Sequence, residues 1–118
     1  MQIPKPTPAA RALFDALVPS TDDRVEVKPM FGNIAAFVNG NMFLGVFGAD
    51  VGLKLSDGDQ QALRAEGGQP FGPAERPMGG YDSLPATMPP ETAQPWVARS
   101  LTYVGNMPPK AKKPSKKR

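Results

Sequence analysis

The sequence predicts an α+β domain with the order helix, three-stranded antiparallel meander, helix, two short strands, helix. Three observations lead to this prediction. Two apolar runs flank Asn39-Gly40, and this is the strongest short-range signal for a β-hairpin because both turn residues take positive φ. Apolar residues recur at helical spacing near both ends of the chain. The 12 glycines and 15 prolines divide the remainder into short elements.

The first helix is predicted over residues 9–18. Thr7 suits the N-cap, and Pro8 suits the first helical position because the N–H that proline lacks would be unbonded there anyway. Apolar residues at helical spacing give this helix one buried face. Pro19 then ends it.

An extended segment follows the helix and leads to the hairpin. It begins at Val25 and Val27, and Pro29 assigns it to an edge or entry of a sheet rather than to a central strand. A two-residue loop at 39–40 with a regular ladder pairs Val38 with Asn41, Ala36 with Phe43 and Ile34 with Gly45. This register gives a first face of Ile34, Ala36, Val38, Phe43 and Phe47, and a second face of Phe31, Ala35, Phe37, Met42, Leu44 and Val46.

Both predicted faces of the hairpin are apolar, which is not typical of an antiparallel sheet with one side in water. We therefore expect the second face to be covered by a helix, by a loop or by a partner. Residues 51–55 alternate in polarity and predict a third strand. Its apolar residues fall on the first face, and Lys54 falls on the second, which makes the second face the more accessible one.

The second helix is predicted to begin after Ser56 and to end near Glu66. Ser56 and Asp59 form an Asp variant of the capping box, and Gly67-Gly68 closes the helix. Two short strands are predicted over residues 74–78 and 81–84, with a bend at Gly79-Gly80.

The last helix is predicted from Pro89-Pro90 to Gly105-Asn106. A single stripe along it carries the residues expected to pack against the sheet. These residues are Trp96, Val97, Ser100, Leu101 and Val104. Trp96 at this spacing is more typical of a core residue than of a ligand platform.

The composition is typical of one folded domain followed by a basic tail. The 118 residues include no cysteine and no histidine, which removes disulfides, thiolate chemistry and the commonest general base and transition-metal ligand. The predicted domain covers residues 1–106, and residues 107–118 form a predicted disordered tail. No run is long enough to cross a bilayer and no apolar leader is present, so we predict a cytoplasmic protein without membrane contact.

The basic tail accounts for the positive net charge. Without its six cations, eight of the 14 Lys/Arg remain against 11 Asp/Glu. The tail allows two interpretations: a weak, salt-sensitive tether for nucleic acid without sequence preference, or a solubilising segment. No aromatic residue is interleaved for base stacking. The possible nucleic-acid contacts are Lys110, Lys112, Lys113, Lys116, Lys117 and Arg118.

The carboxylates and serines give no convincing catalytic or metal site. Asp57 and Asp59 have metal-like spacing but lack the remainder of a calcium loop, so helix capping explains them better. Asp22-Asp23 beside Arg24 is typical of a solvated turn, since adjacent exposed carboxylates lack the burial that tunes catalytic pairs. The serines have no histidine partner. We therefore predict no catalytic residue, no metal site and no cofactor.

The glycines and Arg76 also have structural alternatives. Gly32, Gly40 and Gly45 match neither a phosphate-binding loop nor a dinucleotide fingerprint, and turn geometry or close backbone approach explains them better. Arg76 beside a glycine-rich bend would suit an anion, and a structural salt bridge is its alternative role.

Short motifs spread over nearly the whole predicted domain resemble one known family. The Met-Phe-Gly start, the Val-Asn-Gly-Asn-Met hairpin, a Gln-Pro-Phe segment, an Arg-Pro-Met strand and a Trp-Val helix that leads to Pro-Pro-Lys occur in one order. This pattern resembles the TfoX/Sxy family, in its N-terminal domain. Asn33, and Asn106-Met107, depart from the family pattern at positions where the fold tolerates them. The motif residues are Met30, Phe31, Gly32, Asn39, Gly40, Asn41, Met42, Gly45, Arg76, Pro77 and Met78.

The resemblance implies an α+β fold and a regulatory or interaction role. Longer members of the family carry a second domain and regulate competence, and we expect this chain to be a stand-alone version without that domain. The resemblance supplies no catalytic residue. We therefore predict a non-enzymatic regulatory or protein-interaction module that forms a homodimer or binds a protein partner through its apolar sheet face. The alternative is a weak nucleic-acid-associated protein that acts through its tail.

Overall fold

Six antiparallel strands form one sheet in the order β1-β2-β3-β4-β6-β5, in the part of the chain that the structure describes. The structure, a computed structural model, describes residues 5–19, 21–30, 32–72, 75, 77–85 and 88–108, without the side chain of Met30. The elements are α1 (Pro8–Leu17), β1 (Val25–Met30), β2 (Asn33–Val38), β3 (Asn41–Phe47), β4 (Asp50–Lys54), α2 (Asp57–Ala65), β5 (Gln69–Pro70), β6 (Tyr81–Ser83) and α3 (Pro90–Gly105).

The α+β class is confirmed. The number and positions of the strands along the chain differ from the prediction in two places. The segment from Val25 is a full edge strand paired with β2, so four strands rather than three precede α2. The short strand after α2 lies at Gln69–Pro70, and residues 75, 77 and 78 of the predicted strand over 74–78 are not in a strand. Residues 74 and 76 of that predicted strand lie outside the described residues.

The first helix confirms its capping signals. The Thr7 hydroxyl accepts a hydrogen bond from the Ala10 N–H at 3.1 Å, and Pro8 occupies the first turn. Ala10, Phe14 and Leu17 are buried against the sheet. The helix ends at Leu17, before Pro19.

The predicted register of the β2–β3 hairpin is wrong beyond its first two pairs. Val38 pairs with Asn41 and Phe37 with Met42, but Ala36 pairs with Leu44 because Phe43 is an extra residue in β3. This β-bulge turns both Phe43 and Leu44 toward the helices, where they join the main core. Val46 therefore also faces the core, and Phe47 faces the other side.

Two hydroxyl groups bind the carbonyls at the bulge, one from each side of the sheet. The Tyr81 hydroxyl donates to the Met42 carbonyl at 2.8 Å, and the buried Ser100 hydroxyl donates to the Phe43 carbonyl at 2.8 Å. A bulge disrupts the local ladder, so its backbone groups need partners from elsewhere. These two bonds connect the bulge to β6 and to α3.

The helices cover one face of the sheet, which we call the inner face. α1 and α3 pack on each other and on β3 and β4. α2 packs on β6, where the Arg64 guanidinium donates to the fully buried Asp82 carboxylate at 2.8 Å. Ser56 caps α2 as predicted, with its hydroxyl accepting from the Asp59 N–H.

The predicted stripe of α3 is confirmed. Trp96, Val97, Ser100 and Val104 are buried, and Leu101 is half-buried against the main core. The helix extends from Pro90 to Gly105, as the proline and glycine signals predict.

We predict that Ser100→Ala destabilises the domain, because it leaves the buried Phe43 carbonyl without its hydroxyl donor. The expected loss is about 1–3 kcal/mol in the free energy of unfolding, measured by urea titration. Tyr81→Phe removes the matching bond to Met42 and is expected to cost about 0.5–1.5 kcal/mol. Thr102→Ala, at an exposed position of the same helix, is the control. Equal unfolding midpoints for Ser100→Ala and Thr102→Ala would contradict the role of this bond.

Candidate interaction surface

The sheet face opposite the helices, which we call the outer face, carries a second apolar cluster. Ala35, Met42 and Phe71 form its buried centre. Four half-buried side chains pack around them. These are Phe37, Phe47, Met78 and Tyr81.

The chain itself covers part of the outer face with the segment that follows β5. Phe71 is 2% exposed and lies directly on Gly52, where an added Cβ would stand 2.2 Å from the ring. The Phe71 ring contacts Phe47 edge-on and Tyr81 at a tilt, with centroids 6.4 Å apart in each case. Glycine is therefore required at position 52 for Phe71 to close over β4.

Lysines lie over two of the half-buried rings. Lys28 Nζ is 4.9 Å from the centroid of Phe37, and Lys54 Nζ is 4.9 Å from the centroid of Tyr81. These distances are within cation–π range. Lys28 also pairs with Glu26 at 3.6 Å. Burial raises the pKa of Tyr81 above its ordinary value, so this hydroxyl stays protonated and donates to Met42.

The predicted second face thus has the right character but a corrected composition. Ala35, Phe37 and Met42 lie on the outer face as predicted, while Leu44 and Val46 lie in the main core. Of the three covers considered for this face, a loop is present, and it contributes Phe71 and Met78. The sequence signal for this cover was the recurrence of apolar residues within a glycine- and proline-rich segment.

The Asn-Gly-Asn motif holds the end of α3. Asn39 and Gly40 both take positive φ, 55° and 77°, as the hairpin prediction requires. The Asn39 side chain donates to the Gly105 carbonyl at 3.0 Å, and the Asn41 side chain donates to the Pro108 carbonyl at 3.3 Å. The motif therefore holds the C-terminal end of α3 and the residues directly after it.

Other motif residues serve the fold. Met42 and Met78 belong to the outer cluster; the Met42 side chain lies over Gly45, where an added Cβ would meet its sulfur at 3.3 Å. Gly32 has a φ of +76°, and Pro77 is exposed. Met30 ends β1. The remaining predicted positions lie outside the described residues: Phe31, Arg76, Lys110, Lys112, Lys113, Lys116, Lys117 and Arg118.

Asn33, the departure from the family pattern, has a clear structural role. It is buried, and its side-chain oxygen accepts a hydrogen bond from the Gly48 N–H at 3.2 Å. The same turn binds α1, because the Gly48 carbonyl accepts from the Thr7 N–H at 3.0 Å. Asn33 therefore joins the start of β2 to the turn between β3 and β4.

Two of the candidate carboxylates, Asp59 and Asp22, have structural partners. Asp57 and Asp59 are in the first turn of α2, and Asp59 pairs with Arg99 at 3.3 Å. Asp22 accepts hydrogen bonds from the backbone and side chain of Arg24 at 2.8–3.1 Å. Within the described ranges, no group of three or more acidic, histidine or cysteine residues is placed to hold a metal ion.

An open groove of about 380 Å³ lies between α2 and α3. The Arg99 guanidinium is 4.7 Å from the centroid of the Trp96 ring and binds Asp59 beside this groove. Thr102 and Tyr103 of α3 also line it. The arginine is therefore already held by a ring and a carboxylate of its own chain.

A comparison with models of protein families finds one match. The model for the TfoX N-terminal domain matches residues 16–103, from the end of α1 through most of α3. The chain belongs to this family. No curated protein and no solved structure matches it. Within the described residues, no helix has the length and apolar character needed to span a bilayer.

We predict that Gly52→Ala destabilises the domain by pushing Phe71 off the outer face. The added Cβ overlaps the ring, and overpacking of this kind costs about 1–3 kcal/mol in unfolding free energy. In a Phe71→Leu background the smaller side chain should remove much of that cost, which a double-mutant cycle measures. Gly58→Ala, where an added Cβ meets nothing within 4 Å, is the control. Additive effects of the two substitutions would show that Phe71 does not lie on Gly52.

We predict that the Asp22 carboxyl titrates well below its usual range. Hydrogen bonds from the Arg24 side chain, then from its backbone N–H, lower the pKa of Asp22 to about 2. The lowered pKa means that the stabilising contribution is present above pH 3.8 and is lost as the pH falls toward 2. Carboxyl NMR of Arg24→Gln should show a higher midpoint, and Arg11→Gln should leave it unchanged. An unchanged midpoint in Arg24→Gln would exclude the side-chain contact.

Proposed function

We propose that this domain is a non-enzymatic regulatory or protein-interaction module and that its outer face binds the partner. Membership of the TfoX N-terminal domain family supports a regulatory or interaction role in general terms. The observation that carries the choice of surface is the half-buried aromatic group on the outer face, formed by Phe37, Phe47 and Tyr81 around a buried centre.

The outer face has the features of a binding surface. Aromatic side chains dominate binding energy when a partner completes their burial, and these rings are held in place by Phe71, Met42 and the sheet backbone. Little ordering entropy would be lost on binding because the rings are already fixed. The helices α1, α2 and α3 pack on the inner face of the sheet. Within the described residues, the outer face is therefore the side of the sheet without a helix.

The charges on this surface favour a partner of defined chemistry. Lys28 and Lys54 lie over the rings at two sides of the cluster. A protein segment that places an apolar side chain between them and carboxylates beside them would match both features. The cation–π attraction between these ammonium groups and the rings would become stronger as water leaves the interface.

The hydroxyl and carboxylate groups near this surface support a non-enzymatic role. The Tyr81 hydroxyl is bonded to the Met42 carbonyl, and Asp82 is buried against Arg64 on the inner side. The chain has no histidine and no cysteine to act as general base or nucleophile. Binding without chemistry is the role that these residues fit best.

Site-specific photo-crosslinking in the native host tests this proposal. A photoreactive phenylalanine analogue replaces Phe37 on the outer face in one variant and the exposed Tyr103 of α3 in a matched control. We expect a discrete protein adduct from position 37 that is absent from position 103. Lys54→Glu in the same chain should reduce the yield of that adduct.

Three results would contradict the proposal. They are no adduct at position 37, the same adduct at both positions, or an adduct to nucleic acid. The last of these would favour a nucleic-acid-associated role instead.

A further inference from the structure

The edge strand β1 projects beyond the helices of the inner face. The helices pack on β2, β3, β4 and β6, and β1 pairs only with β2 in the sheet order. Val27, at the middle of β1, is 45% exposed and is one of two large exposed apolar side chains among the described residues. Because Val27 is directly opposite Ala36 of the main core, it faces the helix side. Among the described residues, this side chain therefore lies partly open to solvent at the edge of the sheet.

The charges beside Val27 are complementary to themselves under two-fold symmetry. Glu26 and Lys28 flank it, both exposed and both on the outer face. If two β1 strands pair antiparallel about Val27, Glu26 of one copy lies opposite Lys28 of the other, and this occurs twice. Opposite charges placed across neighbouring strands stabilise the pairing.

The backbone of β1 limits this pairing to its centre. Proline is accommodated in a sheet where its nitrogen points away from the neighbouring strand. The nitrogen and carbonyl of Pro29 therefore point away from β2. Because these directions alternate along a strand, the N–H and carbonyl groups of Val25 and Val27 also point away from β2. Pro29 has no N–H, and the Val25 N–H already donates to the Asp22 carbonyl at 3.0 Å. In a pairing centred on Val27, these two positions oppose each other and form no hydrogen bond, so the strands separate at both ends of the pairing. The Val27 N–H and carbonyl remain to form two symmetric hydrogen bonds.

We propose that two copies of this chain pair antiparallel through β1, with the two-fold axis at Val27. The two six-stranded sheets then form one continuous sheet, and the two Val27 side chains cover each other. The outer faces of the copies lie side by side on one surface of the dimer. This interface uses the β1 backbone, Val27 and the Glu26–Lys28 pairs, and it shares only Lys28 with the surface proposed above. It does not require Phe47, Tyr81 or Lys54, so the two proposals can fail separately.

A monomer would use the same residues in another way. Prolines and exposed charges on an edge strand discourage pairing with other chains, and Lys28 and Pro29 would then protect a monomeric protein. The two interpretations predict different results for variants with a reversed charge at Glu26 or Lys28. In the dimer, mixing the two variants restores association, whereas a monomeric protein does not associate in any combination.

Charge complementation between two variants of the full chain tests the dimer. Sedimentation velocity at low ionic strength, where these charges are least screened, measures the dissociation constant. Glu26→Lys and Lys28→Glu each place like charges opposite each other twice in a homodimer, and we expect each variant alone to dissociate at least about tenfold more readily than the wild type. An equimolar mixture should restore the dimer, since one copy then carries two lysines and the other two glutamates at the facing positions.

Matched controls separate this interface from others and from misfolding. Arg11→Glu and Asp15→Arg change an exposed ion pair on α1 and should leave the dissociation constant unchanged. Val27→Asp should give a monomer, and Phe47→Ala on the outer face should not. Circular dichroism of each variant checks that it is folded.

Each remaining outcome overturns the proposal. The wild type could be monomeric at the highest concentration measured. The mixture could be no more dimeric than its separate components, or the dimer could survive Val27→Asp. Any of these results would assign β1 the protective role instead.

Discussion

The extra residue at Phe43 in β3 is the feature on which both sides of the sheet depend. Without it, strict alternation along β3 would direct Leu44 and Val46 away from the helices and Phe47 toward them. With it, Phe43 and Leu44 both enter the main core, and Met42 and Phe47 are available to the outer cluster. The hydroxyls of Ser100 and Tyr81 bind the two carbonyls at this point. One irregularity therefore supplies the inner core and the outer surface together.

The outer face shows how small residues organise a surface without helices. Ala35, Gly45 and Gly52 are neighbours on β2, β3 and β4, and their small size leaves a shallow depression in the sheet surface. The side chains of Met42 and Phe71 fill this depression. The rings at the margin of this cluster remain half-buried within the part of the chain that the structure describes. Their exposed parts give the outer face its aromatic character. Lys28 and Lys54 add positive charge to the outer face, because their ammonium groups lie over two of these marginal rings.

Elements with local signals were predicted correctly from the sequence, and features that depend on distant partners were not. The helix caps at Thr7 and Ser56 and the hairpin turn at Asn39-Gly40 depend on residues close by in the sequence, so they could be predicted. The bulge was not readable, because its hydroxyl partners lie 39 and 57 residues away along the chain. The cover of the outer face by Phe71 depends on Gly52, and the sequence showed only that apolar residues recur in that segment. The segment from Val25 was recognised as extended and assigned to an edge, but its pairing along the whole of β2 required the three-dimensional register.

The positions that identify the family and the positions suited to contact a partner are largely different residues. Asn39 and Asn41 bind the end of α3, and Gly45 admits the Met42 side chain, so these motif residues are used in folding. Phe37, Phe47, Lys28 and Lys54 lie outside the motif, at half-buried or exposed positions. A substitution at one of these four can change the contact chemistry while the motif keeps the fold. The same scaffold can therefore present different surfaces, and the binding role proposed for the outer face rests on aromatic and lysine side chains of this chain rather than on the family motif.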